Sequence, residues 1–238
     1  MLKPVYIEAT DINDAWFQLL YNIFRFGRKV NIDKGSFAGE DTRLEYDWVT
    51  CRIKYPGTRP LAVQMPEGSA LSPPTDEETI EKYFIRYLMS SIMEENEVYT
   101  YGSRLVAYKL PSGSILDQVN HVIETYRQYG WRNNQMILTV GIPDDLLLED
   151  PACLRHIDTR IQIEEDGEPY LHFFPYFRSN DLMNGFPTNI GGIQLLKEFM
   201  AGMIGVNDGE IIYSSKGLHL YGTSEEMAKM RLNIFKNY

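Results

Sequence analysis

Residues 178–190 read RSNDLMNGFPTNI, and this stretch decides how the rest of the chain is interpreted. It sets a cation, Arg178, a hydroxyl, Ser179, and a carboxylate, Asp181, among several amides that include Asn189. The segment 191–204 that follows is apolar with helical periodicity, which predicts a central buried helix. The polar stretch is either a loop that caps this helix or a binding loop, because loops rich in donors and acceptors commonly carry ligand-binding groups.

A hairpin connects this stretch to a cysteine. Residues 160–164 and 170–176 predict two strands around the turn Glu-Asp-Gly at 165–167. Cys153, in the sequence EDPACLRH, comes just before the first strand. Antiparallel strands can therefore return Arg178 to the cysteine, and a nearby cation lowers the pKa of a nucleophilic thiol. The alternative is a cysteine that serves only as a small buried apolar residue.

The third informative stretch is GLHLY at residues 217–221, which predicts a short strand. Alternate side chains of a strand share a face, so His219 and Tyr221 point the same way. Together they can hydrogen-bond to one sugar hydroxyl. The alternative is an imidazole and a phenol that end a strand without any ligand.

The bulk composition narrows the class of protein. The chain has 238 residues, 44% of them hydrophobic, which favours a single domain over residues 1–238. Its net charge of -10 argues against a nucleic-acid partner. Its two cysteines and four histidines show no zinc spacing, so we expect no metal. The absence of an apolar run of membrane length and of a signal peptide leads us to expect a cytoplasmic protein with no membrane partner.

Helical and alternating patterns predict the remaining elements. The interleaving of helices with strands and hairpins predicts an α/β (α+β) fold with a mixed sheet. Predicted helices cover residues 11–26, 75–93 with Thr75 as cap, 115–129, 191–204 and a last segment from 224. Predicted strands cover residues 44–55, 135–140, 210–214 and 217–221, and residues 31–41 are predicted as a loop.

Taken together, three of these stretches resemble motifs of the thymidylate synthase family. Pro-x-Cys, Arg-Ser-x-Asp-x-x-x-Gly-x-Pro-x-Asn-Ile and His-x-Tyr occur in family order at residues 151–153, 178–190 and 219–221. The chain is most similar to the compact archaeal forms and to relatives that hydroxymethylate pyrimidine nucleotides. The resemblance implies a mixed sheet with flanking helices, and a homodimer in which the sheets pack back to back.

The resemblance also implies a reaction and a role for each matching residue. A one-carbon unit would pass from methylenetetrahydrofolate, or a related pterin, to C5 of dUMP to give dTMP. Cys153 would add to C6, Asn189 would recognise uracil, and Asp181 would contact the pterin. The other implied contacts are Arg178, Ser179, Lys34 and Arg132 on phosphate, His219 and Tyr221 on the 3'-hydroxyl, Tyr101 on the catalytic water, and Glu81 as the catalytic glutamate.

Several positions depart from the family pattern. Only Arg132 stands where the family supplies two arginines from the partner subunit. No tryptophan occurs between Trp48 and Trp131, so the usual residue that stacks on folate is missing. The chain also ends 17 residues after Tyr221, where the family has a closing tail. A dUMP, dCMP or CMP hydroxymethylase and a non-catalytic nucleotide-binding relative therefore remain alternatives.

Overall fold

The computed structural model describes residues 1–31, 42–95 and 97–234. Its strands are β1 (Pro4–Ala9), β2 (Arg28–Asn31), β3 (Thr42–Glu45), β4 (Trp48–Ile53), β5 (Tyr108–Lys109), β6 (Ile115–Leu116), β7 (Ile137–Thr139), β8 (Leu154–Ile163), β9 (Pro169–Phe177), β10 (Asn180–Asp181), β11 (Asn207–Ser215) and β12 (Leu218–Tyr221). Its α-helices are α1 (Ile12–Phe26), α2 (Glu77–Lys82), α3 (Tyr101–Leu105), α4 (Gln118–Tyr129), α5 (Gly185–Ile204) and α6 (Glu225–Arg231). A π-helix at Tyr83–Leu88 and short 3-10 turns at Pro143–Leu147 and Gly222–Ser224 complete the described elements.

The strands form one large sheet and two small ones. The six-stranded sheet has the order β1-β4-β11-β9-β8-β7, and β10-β12-β3-β2 and β5-β6 form the others. The large sheet is mixed, with two parallel pairs (β1 with β4, β9 with β11) and three antiparallel pairs. Helix α5 contains eleven buried residues, more than any other described helix, and packs against this sheet. The predicted mixed α/β architecture is confirmed.

Helix α1 follows directly from its sequence. The side chain of Asp11 accepts from the backbone N–H of Asp14 at 2.8 Å and caps the helix. Residues at helical spacing, among them Trp16 and Leu20, are fully buried on one face. The indole of Trp16 donates to the carbonyl of Leu182 at 2.8 Å. Helix α1 is thereby connected to the polar stretch at residues 178–190.

Two predicted elements have different boundaries in the structure. Residues 44–55 were predicted as one strand, but β3 and β4 are separate strands in different sheets. The helix predicted over 75–93 begins at Glu77, because Asp76 rather than Thr75 accepts from Thr79 N–H at 2.7 Å. It then continues as the π-helix, which ends at Leu88.

Local capping shifts two further boundaries. The helix predicted over 115–129 begins at Gln118, because Asp117 caps it by accepting from Asn120 N–H at 2.9 Å. Helix α5 begins at Gly185 rather than at residue 191. Asn189 therefore lies inside the helix and not in a loop before it.

The hairpin of β8 and β9 returns Arg178 to Cys153, as the sequence predicts. The two strands pair antiparallel from Ile163 opposite Pro169 back to Leu154 opposite Phe177. One residue further, the N–H of Arg178 donates to the carbonyl of Cys153 at 2.8 Å. The backbone thus fixes these two residues beside each other.

A buried carboxylate holds the segment that leads to Cys153. Asp145, with a fully buried side chain, accepts from Arg104 at 2.6 and 2.9 Å and from Arg155 at 3.0 Å. Asp145→Ala would leave Arg104 buried without its counter-charge, and we expect it to lower the free energy of unfolding by about 3–5 kcal/mol. Urea denaturation measures this, with exposed Asp144→Ala as the control. A loss below about 1 kcal/mol would contradict it.

No helix among the described residues is long and apolar enough to cross a membrane.

Candidate active site

A cavity of about 410 Å³ lies where the start of β8, the end of β9, the first turn of α5 and β12 meet. It is formed by residues from all three informative stretches of the sequence. The candidate residues that line it are Tyr101, Cys153, Arg178, Ser179, Asp181, Asn189, His219 and Tyr221. Residues separated by up to 120 positions in the chain are brought to one wall by the hairpin and by the pairing of β10 with β12.

The guanidinium of Arg178 is held at the Pro-Ala-Cys turn. It pairs with the carboxylate of Asp150 at 3.0 Å and donates to the carbonyls of Pro151 and Ala152. Its partner Asp150 is largely exposed, so this ion pair is open to competition by another anion.

The thiol of Cys153 has its pKa raised from the ordinary value, mainly because it is buried. The guanidinium of Arg178 opposes this shift, and the carboxylate of Asp150 reinforces it. Arg178 therefore favours the thiolate, as expected, but burial is the larger effect here. Cys51 is fully buried, and burial raises its pKa to about 12, so the two cysteines are chemically distinct.

This balance predicts how Asp150 controls the reactivity of Cys153. Asp150→Asn removes a negative charge beside the thiol, so the pKa of Cys153 should fall and the pH profile of its alkylation by iodoacetamide should move to lower pH. At fixed pH below that pKa, the rate should rise about two- to tenfold. Glu149→Gln, on the same cavity wall, is the matched control. An unchanged profile for Asp150→Asn would show that its charge does not reach the thiol.

His219 is buried and neutral in the cavity wall. Its Nδ1–H donates to the carbonyl of Gly217 at 2.9 Å, and burial lowers its pKa to about 4. Its Nε2 is buried and has no hydrogen-bond partner among the described residues. The ring packs edge-on against Tyr221 at a centroid distance of 4.8 Å. The pair thus offers an acceptor nitrogen next to a phenol, which suits a sugar hydroxyl.

The amide of Asn189 is fixed by a second amide. Its Nδ2 donates to Oδ1 of Asn180 at 3.0 Å. Asn180 is itself buried, and its backbone N–H donates to the carbonyl of Gly217 at 3.1 Å. With respect to the described residues, one N–H and the carbonyl oxygen of the Asn189 side chain remain available, which is one donor and one acceptor.

Two further cavity residues have structural partners. The carboxylate of Asp181 accepts from Met183 N–H at 2.9 Å and stabilises the approach to α5. The hydroxyl of Tyr101 accepts from Leu154 N–H at 3.1 Å, and burial raises its pKa well above the ordinary value. Both residues line the cavity. Tyr101 also fixes the backbone next to Cys153, and Asp181 fixes the backbone that leads into the helix of Asn189.

Comparison of the sequence with known protein families identifies a match. The sequence model of the family described as thymidylate synthase matches residues 87–236, more than half of the chain. The chain belongs to the thymidylate synthase family. The resemblance inferred from the motifs is confirmed. In this chain the three motif stretches of the family meet at a single cavity.

The thymidylate synthase relatives include archaeal proteins that are only provisionally named as thymidylate synthases. That of Methanosarcina acetivorans is 29% identical over 97% of this chain and 94% of the relative. That of Methanosarcina mazei is 28% identical over the same shares. The protein of Methanothermobacter thermautotrophicus is 27% identical over 90% of this chain and 92% of the relative.

Two candidate residues, Glu81 and Arg132, do not line the cavity. Glu81 is exposed on α2, because its neighbour Ile80 occupies the buried face of that helix, and Glu81 is not among the residues that line the cavity. Arg132 lines a separate pocket of about 650 Å³ together with Arg160 and Ile163. Since the thymidylate synthase family supplies this arginine to the partner subunit, its role stays a prediction. Lys34 lies outside the described residues.

Sequence reasoning missed three charged residues of the cavity wall, Arg43, Glu149 and Asp150. Asp150 precedes the Pro-x-Cys motif directly, so its charge was a usable signal. Arg43 carries no local signal, since only the pairing of β3 with β12 brings it to the site. Among the described residues, no group of three or more His, Cys, Asp or Glu side chains is arranged to hold a metal ion.

Proposed function

We propose that this chain is a thymidylate synthase that transfers a one-carbon unit from methylenetetrahydrofolate, or a related methylene-pterin, to C5 of dUMP. The observation that carries the proposal is the single cavity that joins Cys153 to Arg178, Asn189 and His219. A nucleophile, a phosphate-binding cation, a base-reading amide and an acceptor for a sugar hydroxyl are the groups that this substrate requires.

Cys153 would act as a covalent catalyst. Its thiolate adds to C6 of the uracil ring, and the electron pair of the C5–C6 double bond moves toward the O4 carbonyl. C5 then becomes nucleophilic and bonds to the one-carbon unit. Loss of the C5 proton and cleavage of the bond between the one-carbon unit and the pterin nitrogen would leave an exocyclic methylene. Hydride transfer from the tetrahydropterin to this methylene, with elimination of the sulfur from C6, would give the methyl group of dTMP and the dihydropterin. The residues would supply the thiolate and the hydrogen bonds that stabilise the developing charge on O4.

The surrounding groups would place the nucleotide. Asn189 would donate its free N–H to O4 and accept from N3–H, which matches uracil. Arg178 and Ser179 would bind the 5'-phosphate, with the guanidinium forming a bidentate pair. His219 and Tyr221 would hold the 3'-hydroxyl, and Asp181 would face the pterin. Each role follows from the family motif that the residue matches.

The product of turnover tests the proposal. The purified protein is supplied with dUMP and methylene-labelled methylenetetrahydrofolate, and the nucleotide product is identified by mass spectrometry. We expect dTMP together with oxidation of the pterin to the dihydro form. A 5-hydroxymethyl product would instead identify a hydroxymethylase, in which water captures the same intermediate. Binding of dUMP without any product would identify a non-catalytic relative.

We also propose a homodimer, because members of the thymidylate synthase family pair through their sheets. An apolar depression on one face of the large sheet supports this proposal. Trp48 stacks on Tyr176 at 5.7 Å, and both line an apolar depression of about 480 Å³ with Phe174 and Ile212. We expect sedimentation of the protein at twice the chain mass, and dissociation of the dimer in the variant Tyr176→Asp. Tyr55→Asp, an exposed tyrosine outside this face, is the control. A wild-type monomer at micromolar concentration would overturn the dimer proposal.

A further inference from the structure

A second amide in the cavity wall bears on how the side chain of Asn189 is turned. Residue 180 is an unspecified position of the motif Arg-Ser-x-Asp, and in this chain it is an asparagine. Asn180 lines the cavity and is only 5% exposed. Its Oδ1 accepts from Nδ2 of Asn189 at 3.0 Å. An amide oxygen accepts and does not donate, so this contact favours the orientation in which Asn189 turns its nitrogen toward Asn180.

The fold holds Asn180 through both its backbone and its side chain. Strand β10 pairs parallel with β12, and the backbone N–H of Asn180 donates to the carbonyl of Gly217 at 3.1 Å. The side-chain Nδ2 of Asn180 donates to the hydroxyl of Tyr213 at 3.5 Å. Gly185 leaves room for this arrangement, because an added Cβ there would lie only 3.0 Å from Oδ1 of Asn180. With Nδ2 directed at Tyr213, Oδ1 is left to face Asn189.

A buried hydrogen-bond chain supports the side chain of Asn180 from behind. Tyr213 is fully buried, and burial raises its pKa well above the ordinary value, so the phenol stays protonated. Its hydroxyl also shares a hydrogen bond with Ser215, whose Oγ accepts from the N–H of Gly217 at 3.0 Å. A phenol that donates its proton to Ser215 keeps a lone pair for the N–H of Asn180. The chain from Ser215 through Tyr213 thus agrees with an Asn180 oxygen that faces Asn189.

The orientation of the Asn189 amide separates uracil from cytosine. Uracil offers an acceptor at O4 and a donor at N3, whereas cytosine offers a donor at its exocyclic amine and an acceptor at N3. With its nitrogen toward Asn180, Asn189 can donate to O4 and accept from N3–H, which matches uracil. A half-turn of this amide would match cytosine, but it would bring Oδ1 of Asn189 against Oδ1 of Asn180. Two acceptors that face each other without a proton repel, so the contact with Asn180 disfavours cytosine.

We propose that Asn180 is a positioning residue that sets the preference for uracil over cytosine by holding the amide of Asn189 in one orientation. The inference rests on the proposed function, because it presumes a pyrimidine nucleotide in this cavity. It divides base selection between two side chains. Asn189 contacts the base, and Asn180 determines which atom of that amide faces each group of the base. An asparagine at position 189 without an acceptor at position 180 would accept both bases.

The test compares the binding of dUMP and dCMP, which differ only in the base. Dissociation constants are measured by isothermal titration calorimetry for the wild type, Asn180→Leu and Asn180→Asp. Leucine has a similar shape but no acceptor, so Asn180→Leu should reduce the preference for dUMP by about 10- to 100-fold and tighten dCMP binding by about threefold or more. Asn180→Asp keeps an acceptor opposite Asn189 and should retain the preference within about threefold. Asn184→Leu makes the same change at an exposed residue outside the cavity lining, and should leave both constants unaffected.

The direction of the change separates positioning from damage to the fold. Lost packing would weaken both nucleotides alike, whereas release of the amide strengthens dCMP binding. If Asn180→Leu keeps the wild-type preference or weakens both nucleotides equally, or if Asn180→Asp loses the preference, the inference is overturned and the proposed function stands. A wild type that binds neither nucleotide, or that prefers dCMP, would overturn the proposed function together with the inference. If thermal unfolding shows that Asn180→Leu does not fold, Asn180→Ala, which also removes the acceptor, decides by the same ratio.

Discussion

Replacing the sulfur of Cys153 by oxygen should abolish turnover while leaving the nucleotide bound. Serine differs from cysteine by one atom, but its hydroxyl is a far weaker nucleophile at neutral pH than a thiolate. We expect Cys153→Ser to lower kcat by on the order of 10⁴-fold or more, as for other enzymes that lose their covalent nucleophile. The dissociation constant for dUMP should change by less than about threefold, because the proposed binding contacts come from Arg178, Asn189 and His219.

The matched control is Cys51→Ser, which changes the other cysteine, buried in strand β4 and absent from the cavity lining. Steady-state kinetics with dUMP and methylenetetrahydrofolate, together with dUMP titration, give both quantities for each variant. Cys51→Ser should keep kcat within about an order of magnitude if it folds, since the change perturbs only the core. Normal turnover by Cys153→Ser would exclude a covalent mechanism at this residue.

Changing the amide of Asn189 should change which base the cavity accepts. Uracil presents an acceptor at O4 and a donor at N3, and the free N–H and carbonyl of Asn189 complement both. Asn189→Asp places an acceptor opposite O4, so the two oxygens repel each other. We expect kcat/KM for dUMP to fall by about 100- to 10,000-fold. Preference should move toward dCMP, whose exocyclic amine is a donor.

The measurement is the ratio of kcat/KM for dUMP to that for dCMP. Asn184→Asp makes the same chemical change at the start of α5, outside the residues that line the cavity, and should leave the ratio unchanged. If the Asn189→Asp ratio equals that of the wild type, the amide does not read the base. Because Asn189 also donates to Asn180, thermal unfolding of each variant shows whether lost activity reflects lost fold.

The central pairing of the site could be predicted from sequence because it depends on a hairpin. The turn at residues 165–167 sets the register of β8 and β9, and that register places Arg178 beside Cys153. His219 and Tyr221 could likewise be placed on one strand from their spacing. Hairpin register and strand alternation are local properties of the chain, and they are enough to predict which of these side chains are neighbours.

Other features depend on contacts between distant segments, which one sequence does not reveal. Arg43 reaches the cavity only because β3 pairs with β12 across more than 170 positions. Residues 44–55 are predicted as one strand, but the chain passes from one sheet to another between β3 and β4. Glu81 lies in a helix, as its sequence pattern predicts, but the face it occupies is set by burial of Ile80 against Gly191 of α5. Tertiary packing, rather than local propensity, decided each of these points.

The most direct test of the account is to trap the bond between Cys153 and C6 of the pyrimidine. With 5-fluoro-dUMP and methylenetetrahydrofolate, the C5 proton that must leave is replaced by fluorine, so the covalent adduct cannot resolve. Mass spectrometry of peptides from the incubated protein should show the added mass of nucleotide and pterin on the peptide that contains Cys153. An unmodified Cys153 peptide under conditions in which the protein turns over dUMP would contradict the account.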